Sequence, residues 1–277
     1  MKIGDITIGQ HFPGNSPVHR MDPRMKLVLV FVYITMLFVA RNFLAMAVGA
    51  IFVLITYPLS RISLRLIAKS TKPIIPIIII TAVFNMLFVS GEPIFQWWII
   101  TVTYEGVRMA VQMCVRILCL IAGSALLTYT TSPIALTDGI ELLFSPLKKI
   151  GAPVHEIAMM MTISLRFIPT LIEETEKIIS AQKARGADFE SGNLIARVRA
   201  MLPILIPLFV SAFRRAEDLA LAMECRCYHG GEGRTRMRVF KLSTVDFGAA
   251  VFTAICLGAV IALNTMEPAL AAAGVLL

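Results

Sequence analysis

Five separate apolar runs dominate this sequence: Leu27 to Ala40, Phe43 to about Leu59, Pro73 to Val89, about Glu105 to Thr128, and about Val245 to Leu263. A helix that crosses the hydrocarbon core of a bilayer needs about 20 mostly apolar residues. Helices also satisfy their own backbone groups where no water is present. Runs of this kind therefore point to a bilayer as the solvent. Composition agrees, because 57% of the residues are hydrophobic and only 16% are charged, against roughly 25% charged in a soluble domain. The expected fold is all-α: a polytopic membrane protein with about five transmembrane helices and a cytoplasmic helical domain between the last two spans. The division that follows is 1–24 as a cytoplasmic N-terminal segment, 25–130 as the first four spans, 131–242 as the cytoplasmic helices, and 243–277 as the last span with an outer C-terminus.

Local signals set the ends of these runs. Asp22-Pro23 reads as an N-cap followed by proline at the first helical position. Ser90-Gly91-Glu92-Pro93 reads as a turn. Phe95-Gln96-Trp97-Trp98 reads as interfacial, since Trp favours the headgroup level, and the β-branched alternation from Ile99 to Tyr104 suggests a short extended piece. The first 24 residues contain no apolar core of a cleavable signal. The five cysteines, Cys114, Cys119, Cys225, Cys227 and Cys256, show no extracellular disulfide pattern, and free thiols are expected.

The formal net charge of +8 does not imply nucleic acid, because the basic residues lie beside the apolar runs. Lys2, Arg20, Arg24 and Lys26 precede the first run, and Arg61, Arg65, Lys69 and Lys72 lie between the second and third. Fifteen lysines and arginines fall between Thr131 and Leu242. The link between the first two runs has only Arg41. By the positive-inside rule the N-terminus is cytoplasmic and, with five spans, the C-terminus is outside.

The charged segment is too patterned for a floppy loop. Ser132-Pro133 starts a short helix to about Phe144. From Val154, apolar residues such as Ile157, Met160, Met161, Ile168, Leu171 and Ile179 recur at helical steps, giving a helix to Arg185 that Gly186 ends. A second long helix runs from Leu194 to about Tyr228, with a bend expected at Pro203 and Pro207, and Gly230-Gly231-Glu232-Gly233 reads as a flexible turn. Each long helix is amphipathic, holds an internal proline, and ends at an arginine between small residues: Ala184-Arg185-Gly186 and Cys225-Arg226-Cys227. For one such arginine, stabilisation of the helix C-terminus is sufficient explanation. Two in one segment favour a paired docking device.

The motifs Gly9-Gln10-His11, Ser16-Pro17-Val18-His19-Arg20-Met21-Asp22-Pro23-Arg24-Met25-Lys26, Thr131-Ser132-Pro133, Leu165-Arg166-Phe167-Ile168-Pro169, Ala181-Gln182-Lys183-Ala184-Arg185-Gly186 and Ala222-Met223-Glu224-Cys225-Arg226-Cys227-Tyr228 stand in an order that resembles the T component of energy-coupling-factor (ECF) transporters, which are ABC-type importers. The resemblance covers nearly the whole chain. It implies a non-catalytic subunit of the prokaryotic plasma membrane that couples ATP hydrolysis to vitamin or micronutrient uptake. It implies two ABC-type ATPase partners, which hold ATP and magnesium, and a substrate-binding S component. It implies that Arg185 and Arg226 dock into grooves on the ATPases, with Ala184, Gly186, Cys225 and Cys227 permitting close approach. Cys225 departs from the family's usual alanine but is also small. Met159, Met160 and Met161 are adaptable side chains suited to the S-component interface, with packing between the two helices as the alternative.

No G-x-x-x-x-G-K-[S/T] stretch is present, so a P-loop nucleotide site is not expected in this chain. Cys225, Cys227 and His229 lie too close together in sequence to complete a tetrahedral metal site readily, and no metal, catalytic centre or bound cofactor is expected. A secondary transporter would place polar groups such as Arg116 and Asn85 at a midplane site. A membrane scaffold would leave the paired arginines unexplained. A T component dedicated to cobalt, nickel or biotin is a closer alternative, although the His19–Lys26 opening resembles the shared, multi-vitamin type.

Overall fold

The computed structural model describes residues 11–91, 93–97, 100–187, 189, 193–231, 233, 235 and 239–266. It is helical but for one hairpin. In order come α1 (Pro17–Arg20), α2 (Pro23–Val39), α3 (Phe43–Ser60), α4 (Leu64–Thr71), α5 (Ile75–Phe88), β1 (Pro93–Trp97), β2 (Ile100–Thr103), α6 (Tyr104–Thr130), α7 (Pro133–Phe144), α8 (Val154–Ala184), α9 (Leu194–Cys225) and α10 (Thr244–Thr265). Packing divides the described residues into two compact units, one within 11–139 and 240–266 and one within 140–239.

Among the described residues, four helices are long and apolar enough to cross a membrane: Phe43–Ser60, Arg65–Phe88, Tyr104–Thr130 and Thr244–Thr265. Helix α2, with 17 residues, is too short for that count. The third run begins earlier than its apolar residues suggest. Helix α4 continues through a 3₁₀ turn at Lys72–Ile74 into α5, so Arg65, Lys69 and Lys72 lie on the first turns of a helix, not in a loop. The extended piece expected at Ile99–Tyr104 is half of an antiparallel hairpin that pairs Trp97 with Ile100. Trp98 and the side chains of Phe95, Gln96 and Trp97, expected to be interfacial, lie outside the described residues.

The core of the first unit is where α2, α3, α6 and α10 meet. Tyr33, Met36, Leu37, Ala45, Met46 and Val260 are almost fully buried there. Tyr33 stacks on Phe52, and Phe52 stacks on Phe252. The Tyr33 hydroxyl donates to the carbonyls of Gly49 (3.3 Å) and Cys119 (3.2 Å), and the Tyr57 hydroxyl donates to Ala122 (2.9 Å). Small residues permit this approach, as is usual between membrane helices. A Cβ on Gly123 would stand 2.4 Å from the Tyr33 ring. Arg116 donates to the Ala40 carbonyl at 2.6 Å, and Asn85 donates to the Thr81 carbonyl of its own helix at 2.8 Å. Both bonds serve backbone carbonyls.

The basic opening segment is folded into this unit. Ser16 caps α1 and also meets His19 Nδ1 at 2.7 Å. Asp22 caps α2 through Arg24 N–H (2.9 Å) and pairs with the Arg24 guanidinium. Burial pushes the Asp22 carboxyl up, but the hydrogen bonds and charge of Arg24 outweigh it and the net shift is downward. The Asp22 N–H donates to Asp246 at the start of α10 (2.9 Å). Lys26 Nζ donates to Thr130 O and Thr131 Oγ1 at the C-terminal end of α6. Residues far apart in sequence are thus tied at one end of the helices. All five cysteines are free.

Candidate functional site

Helices α8 and α9 form an antiparallel pair in the second unit. Both run unbroken through their internal prolines, Pro169 in α8 and Pro203 and Pro207 in α9. Three cross-links give the direction. Gln182 reaches the Pro203 carbonyl at 3.5 Å. Glu174 accepts from Ser211 and from Arg215, the latter at 2.7 Å. His155 meets Tyr228 at 3.4 Å. Positions on α9 rise as those on α8 fall. Arg185 and Arg226 therefore stand near opposite ends of the pair. The 31 residues of α8 span about 46 Å at a rise of about 1.5 Å per residue, which sets the scale of their separation.

The two ends share one backbone geometry. At the first, Arg185 is the C-cap (φ −85°, ψ 5°) and Gly186 is left-handed (φ 88°). Gly186 N–H bonds Lys183 O at 3.0 Å and Ala187 N–H bonds Gln182 O at 3.0 Å. At the second, Arg226 is the C-cap (φ −93°, ψ 14°) and Cys227 is left-handed (φ 53°). Cys227 N–H bonds Glu224 O at 2.8 Å and Tyr228 N–H bonds Met223 O at 3.0 Å. Both patterns are Schellman caps, with the arginine at the same position of each.

The motif residues Ala184, Arg185, Gly186, Cys225, Arg226 and Cys227 are all exposed. The side chains of Arg185 and Arg226 form no hydrogen bond or ion pair with another described residue. Three other arginines are held by partners, Arg24 by Asp22, Arg215 by Glu174 and Arg116 by a carbonyl. The Ser211 hydrogen bond, helped by the charge of Arg215 and opposed by burial, holds the Glu174 carboxyl below its ordinary value.

Apolar residues of α9 are uncovered to a degree that helix-on-helix packing does not explain. Val198, Phe209 and Phe213 are each 60–67% exposed, and among the described residues of α9 only Ile204 is buried. Met160 and Met161 are exposed and Met159 is half-buried, so the methionine run is only partly used within the pair. Among the described residues no three His, Cys, Asp or Glu side chains are grouped to hold a metal ion.

Two features escaped sequence reasoning. One is Asp246, although Ser243-x-x-Asp246 is legible as a capping box; Ser243 N–H donates to the Asp246 carboxylate at 2.7 Å. The other is a chain of contacts from Glu141 through His155 to Tyr228. No short-range pattern signals it, because its three members come from three helices or their ends.

These features describe a multi-pass helical membrane protein with two matched, arginine-bearing helix ends. Comparison with known families agrees. Residues 14–237 match the CbiQ family, described as cobalt transport protein. The chain is 50% identical over 249 residues to the energy-coupling factor transporter transmembrane protein EcfT of Thermosediminibacter oceani, covering 90% of this chain and 94% of that one. It is 53% identical to the EcfT of Clostridium kluyveri (90% and 93% covered) and 54% identical to that of Acidaminococcus fermentans (88% and 91%). The chain belongs to this family, the transmembrane T components of ECF transporters. It is a transport subunit of a multi-component membrane complex.

Proposed function

We propose that this chain couples ATP hydrolysis in two ABC-type ATPase subunits to vitamin or micronutrient uptake through a separate substrate-binding S component. Arg185 and Arg226 each enter a groove on one ATPase, while α8 and α9 lie on the cytoplasmic side. ATP and magnesium stay with the ATPases. The carrying observation is the matched pair of exposed arginines with unengaged side chains, each on a Schellman cap, at opposite ends of one helix pair. An ATPase pair with approximate two-fold symmetry offers two similar grooves, and two similar plugs fit them. Arginine keeps its charge and presents a planar fork of donors to carboxylates and carbonyls. The small flanking residues let each helix end approach closely.

The uncovered apolar residues of α9 and the exposed Met160 and Met161, with Met159 beside them, form the proposed seat of the S component. In this reading α2 is the fifth span. Its 17 residues lie at the short end of the spanning range of about 17–25. The N-terminus is then cytoplasmic and the C-terminus outside, the arrangement the basic residues favour.

Changing Arg185 and Arg226 together to Glu should abolish ATP-driven uptake in membrane vesicles while membrane levels stay normal. Uptake that survives the double change removes the docking role. A module dedicated to one substrate is the second reading, favoured by the cobalt transport description of the family. Affinity capture from native membranes separates the two: several different S components indicate a shared module, and one indicates a dedicated one.

A further inference from the structure

The end of α9 that carries Arg226 is tied to its surroundings by side chains that do not belong to the small-Arg-small motif. Tyr228 occupies the second position past the cap, where its N–H closes the Schellman ring on Met223 O. Its hydroxyl turns to His155 Nε2 at 3.4 Å. His155 is the second residue of α8, and its Nδ1 lies 3.0 Å from Glu141 Oε1. Glu141 is itself largely buried and has Lys148 Nζ at 3.9 Å. The carboxylate accepts from Nδ1–H, which fixes the imidazole tautomer and leaves Nε2 to accept the Tyr228 O–H. The backbone at Gly231 closes over the same ring, since a Cβ there would stand 2.4 Å from His155. At the Arg185 end the cross-helix contact among the described residues is from Gln182 to Pro203 O at 3.5 Å, made from the flank of α8 and not from the cap.

We propose that Glu141, His155 and Tyr228 are positioning residues for Arg226: a brace that fixes the direction in which this arginine leaves its helix. The inference rests on the docking role proposed above. The brace touches no ATPase. It holds the residue two places beyond the arginine, and it removes rotational freedom that the tip would otherwise lose on docking. Preorganisation of this kind strengthens association without adding contacts.

The test uses the full-length chain in detergent with its two ATPase subunits, and titrates ATPase binding. Tyr228→Phe and His155→Ala are each made alone, with Arg226→Ala, and with Arg185→Ala. Each single change should weaken ATPase binding about two- to tenfold, the scale of one hydrogen bond. The loss should vanish when Arg226 is already Ala and persist in full when Arg185 is Ala, because only the first pair acts through one tip. Glu141→Gln, which keeps an acceptor for Nδ1–H, should bind closer to the parent than Glu141→Ala does. Equal losses in both arginine backgrounds, or no loss from Tyr228→Phe, overturn the brace. If Arg226→Ala alone leaves binding unchanged, the docking role itself fails and takes the brace with it.

Discussion

At the level of single residues, the two caps differ in one strained position. Gly186 adopts φ 88° without penalty, whereas Cys227 adopts φ 53° with a Cβ. A left-handed conformation costs an ordinary residue about 1–2 kcal/mol. Gly186→Ala should therefore destabilise the end of α8 by about 1 kcal/mol or slightly more. Cys227→Gly should be neutral or stabilising by up to about 1 kcal/mol, since relief of strain is offset by the greater freedom of glycine when unfolded. Thermal unfolding of the purified chain in detergent reads both. The small-Arg-small pattern was legible in sequence because helix-ending glycine beside arginine is a local signal. That Cys227 holds the glycine-like position was not, because nothing short of backbone geometry marks a cysteine as left-handed.

At the level of elements, α8 and α9 were visible from periodicity and their ends were nearly right, since proline, asparagine and glycine act locally on the backbone. Their pairing was not visible. It depends on Glu174 meeting Ser211 and Arg215, residues 37 and 41 positions away. The depressed pKa of Glu174 gives this link a pH dependence of definite sign. Its contribution to pairing is present in full above the ordinary glutamate pKa and is lost as pH falls through the lowered one. Acidification should loosen the helix pair, read as a change in distance between spin labels placed on α8 and α9. Glu174→Gln should remove this acid-dependent change. The effect should be modest, because the pair is partly exposed to solvent.

At the level of the whole chain, one bundle is closed by contacts between its sequence extremes. Asp246 accepts from Asp22 N–H and from Ser243 N–H, and it is almost fully buried. Asp246→Ala removes a helix cap and strands a buried donor, so it should cost about 2–3 kcal/mol. Asp246→Asn, which keeps one acceptor oxygen, should cost less. Melting temperature and folded yield from membranes would register the difference. The motif from Ser16 to Lys26 gains a structural reading from contacts at the same end: its Ser and Asp side chains cap two helices and its Lys binds groups at the end of α6.

The sequence by itself determined the membrane setting, the approximate helices, the long polar segment and the two arginine-bearing ends. Each of those follows from hydropathy, periodicity or capping chemistry acting over a few residues, and the resemblance in motif order pointed to the family. Only the tertiary structure decided that α8 and α9 are antiparallel, with Arg185 and Arg226 near opposite ends, that Arg116 and Asn85 serve backbone carbonyls, and that His155 joins Glu141 to Tyr228. Those features depend on side chains brought together from distant positions. No local preference encodes such meetings, because they are fixed only when buried polar groups must find partners in the packed chain.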